Sequence, residues 1–316
     1  MKTALALTAL LCWTASAQVL APVVPAPGRP TGVSPEAAPV DADVSFPPGK
    51  PQILGRDQWL TSQNSCRHLS KVAVSEEDID DDTQPRTRIA VHHTEGFVSP
   101  EELAMSDADS LERAKEILCA IREYHMGVVT SKTVVIRRKH GRRRKRRVTH
   151  REGHDWADIG YHFLIDWRGR IWEGRHLQKV GANVRSNNDG LIGIALMGDF
   201  MQQKPTPEQL RSLKQLIAWL MATYKIPPQA IVGHGDIVET DCPGRYMEYR
   251  GEDARPYDEA TASPLARVRH QLQALWALIP HTAEDEAGYA ALPKAAELQL
   301  PPTARALGGP VAFDGR

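Results

Sequence analysis

No apolar run in this chain approaches the ~20 residues that a transmembrane helix needs. Charge of one sign is lacking too: 39 basic and 39 acidic side chains cancel, so the whole-molecule field selects no partner. Cysteine is scarce, at four residues, and no internal repeat is present. A length of 316 residues allows one large domain or two small ones. The one compact apolar run sits at the start, where Lys2 precedes Ala4 to Trp13 and then Ala15-Ser16-Ala17. That order reads as a secretory signal over 1–17 with an A-x-A cleavage site, which predicts an exported chain, periplasmic or extracellular. Cleavage would remove Cys12. If Cys242 binds a metal, Cys66 and Cys119 are then the one internal pair left, and an oxidising compartment permits that disulfide.

From Gln18 to Pro51 there are nine prolines and almost no aromatic residues. Such a stretch favours extended geometry, so 18–51 is expected to be a linker. The tail, 281–316, is Ala-rich with four spaced prolines and is expected to be loosely packed. A single globular domain is expected over 52–280. Apolar runs predict strands at 88–92, 161–167, 170–173, 191–197 and 230–234. Helical stripes lie between them: Leu111, Ala114, Leu118 and Ile121; Leu210, Leu213, Ile217 and Leu220; Val268, Leu272, Leu275 and Leu278. Thr206-Pro207 with Gln209 reads as a capping box, and Ser263-Pro264 opens the last helix. Strands alternating with helices indicate an α/β domain, a central sheet flanked by helices.

Histidine and cysteine at three separated places carry the chemistry. The strand Arg88–Val91 delivers His92 and His93, the run Ala230–Val232 delivers His234, and Cys242 follows eight residues later before Pro243-Gly244. Two imidazoles and a thiolate suit zinc, and a catalytic zinc uses three protein ligands and keeps a fourth position open. The bland reading is three unrelated polar residues near strand ends. Without metal, Cys242 could instead be a protease nucleophile with a histidine base.

The surrounding segments resemble the family of peptidoglycan recognition proteins and zinc N-acetylmuramoyl-L-alanine amidases. Arg56-Asp57-Gln58-Trp59, Ile89 to Thr94, Asp158 to Asp166, Gly169 to Arg175, Val180 to Asn183, Ile192 to Phe200 and Gly233 through Gly244 occur in the family's order. The resemblance implies a mixed-sheet amidase-like fold, one zinc ion per chain on His92, His234 and Cys242, and catalytic roles for Tyr161 and Thr240. It implies peptidoglycan as substrate, cleaved between the lactyl group of N-acetylmuramic acid and L-alanine. Tyr161 begins an alternating stretch that would put it on one face with Phe163 and Ile165. A phenol is protonated at neutral pH and can donate to a developing oxyanion. Thr240 could equally cap the turn before Cys242, and Asp236 reads as a turn residue more than as a partner of a ligand histidine. His93 should face away from His92.

Arg175 could clamp a peptide carboxylate or form an ion pair with Glu173 or Asp166, and Trp172 is expected to line the groove with it. Relatives associated with diaminopimelate-type stems carry Gly-Trp after the arginine. Here His176-Leu177 follows, so stem preference is not inherited. Two alternative readings stand: a non-catalytic peptidoglycan-binding recognition module, against which an intact Cys242 counts, and a polyanion-binding surface protein in which the metal is structural. One stretch departs from the family: Arg137 to Arg147 is a cationic run flanked by Val134-Val135-Ile136 and Val148. It reads as an inserted hairpin over 132–152, suited to wall teichoic acid or lipopolysaccharide phosphates. The acidic residues Glu76 to Asp82 could instead neutralise it. Nucleic acid is disfavoured, because no aromatic residues interleave the charges.

Overall fold

The strands form where the sequence has unbroken apolar runs, as expected of parallel strands covered on both faces. A computed structural model describes residues 46–60, 79–137, 143–154, 156–249 and 257–282, with Val44 and Asp285; within 128–152 it describes the backbone and its pairing. All of these residues belong to one compact unit, Ala38–Arg316. The expected signal, most of the expected linker, Cys66 and nearly all of the C-terminal stretch from 281 lie outside the described residues.

In chain order the elements are β1 (Ile53–Leu54), β2 (Arg88–His93), α1 (Pro100–Leu103), α2 (Asp107–Met126), β3 (Val128–Arg137), β4 (Arg143–Glu152) and β5 (Phe163–Ile165). Then come β6 (Ile171–Glu173), β7 (Leu191–Leu196), α3 (Pro207–Tyr224), β8 (Ile231–Gly233), the one-turn α4 (His234–Ile237) and α5 (Pro264–Trp276). Six strands make a mixed sheet in the order β1-β6-β5-β7-β2-β8, with β5–β6 its antiparallel pair. β2 sits between β7 and β8 and runs parallel to both.

Helices cover both faces. Ile89, Val91, Ile192, Ile194 and Leu196 pack with Leu213, Ile217 and Leu220 of α3 and with Val268, Leu272 and Leu275 of α5. Each buried Leu or Ile contributes roughly 1.5–3 kcal/mol, so these stripes, more than helix propensity, fix the helices. Ala114, Leu118 and Cys119 of α2 pack on the other face against Leu164, Trp172 and Ala195. Cys119 is disulfide-bonded.

Thr206 caps α3 as its sequence predicts. Its hydroxyl accepts from Gln209 N at 3.1 Å, and the Gln209 side chain accepts from Thr206 N at 3.0 Å. Ser263 likewise accepts from Ala266 N at 3.2 Å. Leu278 departs from its predicted stripe: α5 ends at Trp276, and Leu278 is 49% exposed.

Candidate metal centre

His92 is the fifth residue of β2, and its register partner on the next strand is Ala195. On the other side Val91 pairs with Gly233, so His92 and His234 leave neighbouring parallel strands at the same level. In open parallel sheets this carboxyl end is where ligands bind. Cys242 is brought back by a tight return: Gly235 N donates to Cys242 O at 2.8 Å, and Gly244 N to Asp241 O at 2.7 Å.

The result is that one donor atom each from His92, His234 and Cys242 lies within 4.8 Å of the others. His92 Nδ1 and Cys242 Sγ are 3.6 Å apart. Zinc with Zn–N of about 2.0–2.1 Å and Zn–S of about 2.3 Å sets a tetrahedral N···S edge of about 3.6 Å. The donor set and its spacing therefore fit zinc.

The tautomer of His92 fits as well. Asn183 Nδ2 donates to Gly160 O at 3.1 Å, which turns its Oδ1 toward His92 Nε2, also at 3.1 Å. Nε2 thus carries the hydrogen and Nδ1 keeps its lone pair for the centre. Burial first, then His234, pushes the His92 imidazole well below its usual pKa; burial takes His234 down to about 4. Both imidazoles are therefore neutral at neutral pH, as metal ligation requires. Burial pushes the Cys242 thiol up, against a hydrogen bond that its Sγ accepts from His93 N at 3.4 Å.

Asn183 is the residue at the candidate centre that the sequence reading gave no role. Its one signal was membership of the Val180–Asn183 motif. Gly193 on β7 makes room for it, since a Cβ there would lie 2.5 Å from the Asn183 side chain.

Tyr161 stands beside the donors, its ring centroid 5.1 Å from that of His92. The regular strand β5 begins at Phe163, and the predicted alternation does not extend back to Tyr161. Phe163 and Ile165 join the α3 side of the core, whereas Tyr161 packs on the α2 side. His125 braces it: their rings are 5.4 Å apart, and His125 Nδ1 accepts from Gly160 N at 3.0 Å. Burial raises the Tyr161 phenol, so it stays protonated.

Thr240 is at the turn, where its hydroxyl accepts from Cys242 N at 3.3 Å. Asp236 accepts from Gly233 N at 2.9 Å and caps α4. His93 faces the opposite side of the sheet from His92, and its Nδ1 accepts from Phe200 N at 3.0 Å.

The two residues expected to contact substrate are turned inward. Trp172 is fully buried, and its Nε1 donates to Asp166 Oδ2 at 3.0 Å; it belongs to the core and not to a groove wall. Arg175 directs its guanidinium at the backbone carbonyls of Ile159, Val180 and Asp158, and is 4% exposed. It ties together the chain on both sides of Tyr161, its buried guanidinium turned to these carbonyls where a carboxylate clamp was expected. Asp158 itself receives Arg56 and Arg122. Burial alone would raise its pKa, but the two guanidiniums outweigh burial and hold it below the usual range.

In the acidic run, Asp82 pairs with Arg86 and Asp81 with Lys179. Glu76, Glu77 and Asp78 lie outside the described residues.

Known proteins resemble this chain to different extents. Peptidoglycan-recognition protein SD of Drosophila simulans is 39% identical over 98 residues, covering 29% of this chain and 50% of that protein. An N-acetylmuramoyl-L-alanine amidase of Sus scrofa is 35% identical over 97 residues, covering 30% of this chain and 16% of that one. The match thus spans half or less of these curated relatives. The crystal structure of Drosophila peptidoglycan recognition protein SD superposes with a TM-score of 0.42 at 23% identity, covering 62% of this chain and 90% of the other. The sequence family described as N-acetylmuramoyl-L-alanine amidase matches residues 82–245. That stretch is just over half of the chain and holds His92, His234 and Cys242 of the candidate metal centre, and by it this protein belongs to the N-acetylmuramoyl-L-alanine amidase family.

Proposed function

We propose that the chain is an exported, zinc-dependent N-acetylmuramoyl-L-alanine amidase. It would hydrolyse the amide between the lactyl group of N-acetylmuramic acid and L-alanine in peptidoglycan. The observation that carries the reading is the convergence of three donor atoms beside Tyr161, with the His92 tautomer set by Asn183. Export rests on Met1 to Ala17 alone.

Zinc held by His92, His234 and Cys242 would supply Lewis acidity and a water whose pKa is lowered to about 7. The chain's own groups do the rest. Asn183 keeps the Nε2 proton of His92 and so leaves Nδ1 free to ligate. Tyr161 holds its phenolic proton toward the carbonyl oxygen of the scissile amide, which gains charge as water adds to the carbonyl carbon. His125 and the Asp158–Arg56–Arg122 cluster hold the backbone around Gly160 and Tyr161 in place. Thr240 acts through the turn, keeping the Cys242 amide oriented.

The test is mass spectrometry of products released from purified sacculi, with and without a zinc chelator. Free stem peptides beginning at L-alanine, lost on chelation and restored by zinc, are expected. Binding to sacculi with zinc bound and no release would leave a recognition module and remove the catalytic role of Tyr161.

A further inference from the structure

We propose that the β3–β4 ribbon is a docking surface for a flexible linear phosphodiester polymer, of the polyol-phosphate kind, that contacts both of its faces. The two strands pair antiparallel through ten consecutive positions, from Val128↔Glu152 to Arg137↔Arg143. At about 3.4 Å per residue the ribbon is about 34 Å long. Each strand's extensive packing, among the described elements, is with the other. A two-stranded ribbon without a covering layer is marginal in water and gains nothing from packed like charges. Charges of one sign along such a ribbon suit an anionic ligand.

The register distributes those charges. Arg137, Arg143, Lys145, Arg147 and Arg151 share one face, and Lys132, Arg144 and Arg146 the other. Cations on one face of β4 recur every second residue, about 6.8 Å apart, as a row that a chain with a phosphate in each short repeat could follow. Six of the eight are on β4, so one strand carries nearly all the charge while β3 supplies Val128, Val129, Val134, Val135 and Ile136. A flat anionic membrane would meet one face and leave the cations of the other without a counter-charge. A flexible chain can pass over the edge of β4 and use both. Residues 128–152 contain no Phe, Tyr or Trp, which removes the stacking that single-stranded nucleic acid needs.

The test uses the full chain and a labelled glycerol-phosphate oligomer, with binding read by anisotropy. With about five phosphates neutralised at about 0.7 each in the log–log slope, affinity should fall about a hundredfold between about 50 and 200 mM salt. Two variants divide the faces: Arg143→Thr with Lys145→Thr and Arg147→Thr, and Lys132→Thr with Arg144→Thr and Arg146→Thr. Threonine keeps strand propensity. Each variant removes three of the eight cations and should lower affinity at least about tenfold and flatten the slope by about 1.3, with the circular dichroism of the protein unchanged.

A loss confined to one face would overturn the proposal, as would tighter binding per phosphate to vesicles of anionic lipid. A flat salt dependence would also overturn it, and so would single-stranded DNA of matched phosphate count binding far more tightly than the oligomer. The readout involves no hydrolysis, so this surface stands or falls separately from the amidase reading.

Discussion

Replacing Asn183 by alanine removes a side chain that is held at both ends. His92 Nε2–H loses its acceptor and the Gly160 carbonyl loses its donor. Each unsatisfied buried group costs roughly 1–3 kcal/mol. Asn183 is 8% exposed, so water can repair part of the loss, and we expect stability to fall by about 2–4 kcal/mol. The larger consequence is at the metal. With Nε2 no longer fixed, His92 can take the other tautomer or rotate, and losing such an outer partner typically costs 10–100-fold in metal affinity. That is about 1.4–2.7 kcal/mol. The assay is competition for zinc against a chromophoric chelator, paired with urea unfolding of the metal-free protein. Asn183→Asp serves as the control: it keeps an acceptor for Nε2–H but loses the donor to Gly160, so zinc affinity should hold while stability drops. If Asn183→Ala binds zinc within about twofold of the parent, Asn183 is only a packing residue and the tautomer argument fails.

Tyr161→Phe should lower the turnover of sacculi about 10²–10³-fold with zinc stoichiometry unchanged; activity within tenfold of the parent would remove the phenol from the chemistry. Asp158→Asn leaves Arg56 and Arg122 buried against a neutral amide, and urea unfolding should report a loss of about 3–5 kcal/mol. A loss below about 1 kcal/mol would mean that the guanidiniums find other partners. His125 titrates near 6.5 when unfolded and, through burial first and His154 second, at about 3 when folded. Between those values the unfolded chain binds the extra proton, so stability falls as pH falls, by about 1.4 kcal/mol per unit. His125→Asn keeps an acceptor for Gly160 N and should reduce the slope of stability against pH by that amount; an unchanged slope would refute the buried neutral imidazole.

The parts of the fold that were legible in the sequence were those set by local pattern. Leu191–Leu196 and Arg88–His93 read as strands because central parallel strands are apolar throughout, and Thr206 with Gln209 announces a helix start by hydrogen bonds three residues apart. The three residues of the candidate metal centre were legible as motifs, and the fold brings them together. What escaped depends on contacts between distant segments. The partnership of Asn183 with His92 joins residues 91 apart in the chain, and no periodicity encodes it. Trp172 looked like a groove residue because Asp166, the acceptor that lets an indole be buried, reaches it only when β5 and β6 pair across the turn that holds Asp166. Arg175 looked like a ligand clamp because backbone carbonyls that accept from a guanidinium leave no trace in sequence. Tyr161 was placed on the wrong face because alternation was counted from two residues before the strand begins.

The two ends of the β3–β4 ribbon start from one atom. Gly127 N, before β3, and His154 N, after β4, both donate to the Tyr124 carbonyl at 3.2 Å. Gly153 has φ of +103°, and a Cβ there would lie 2.0 Å from that same oxygen, so the closure depends on glycine. In topological terms the ribbon is a parenthesis: the chain leaves and returns at a single point, and the helix on one side and the Tyr161 segment on the other meet without it. Joining Gly127 directly to Gly153 would excise the ribbon with little change in the path of the remaining backbone. The segment can therefore be exchanged, lengthened or removed as a cassette while the body keeps its own folding contacts.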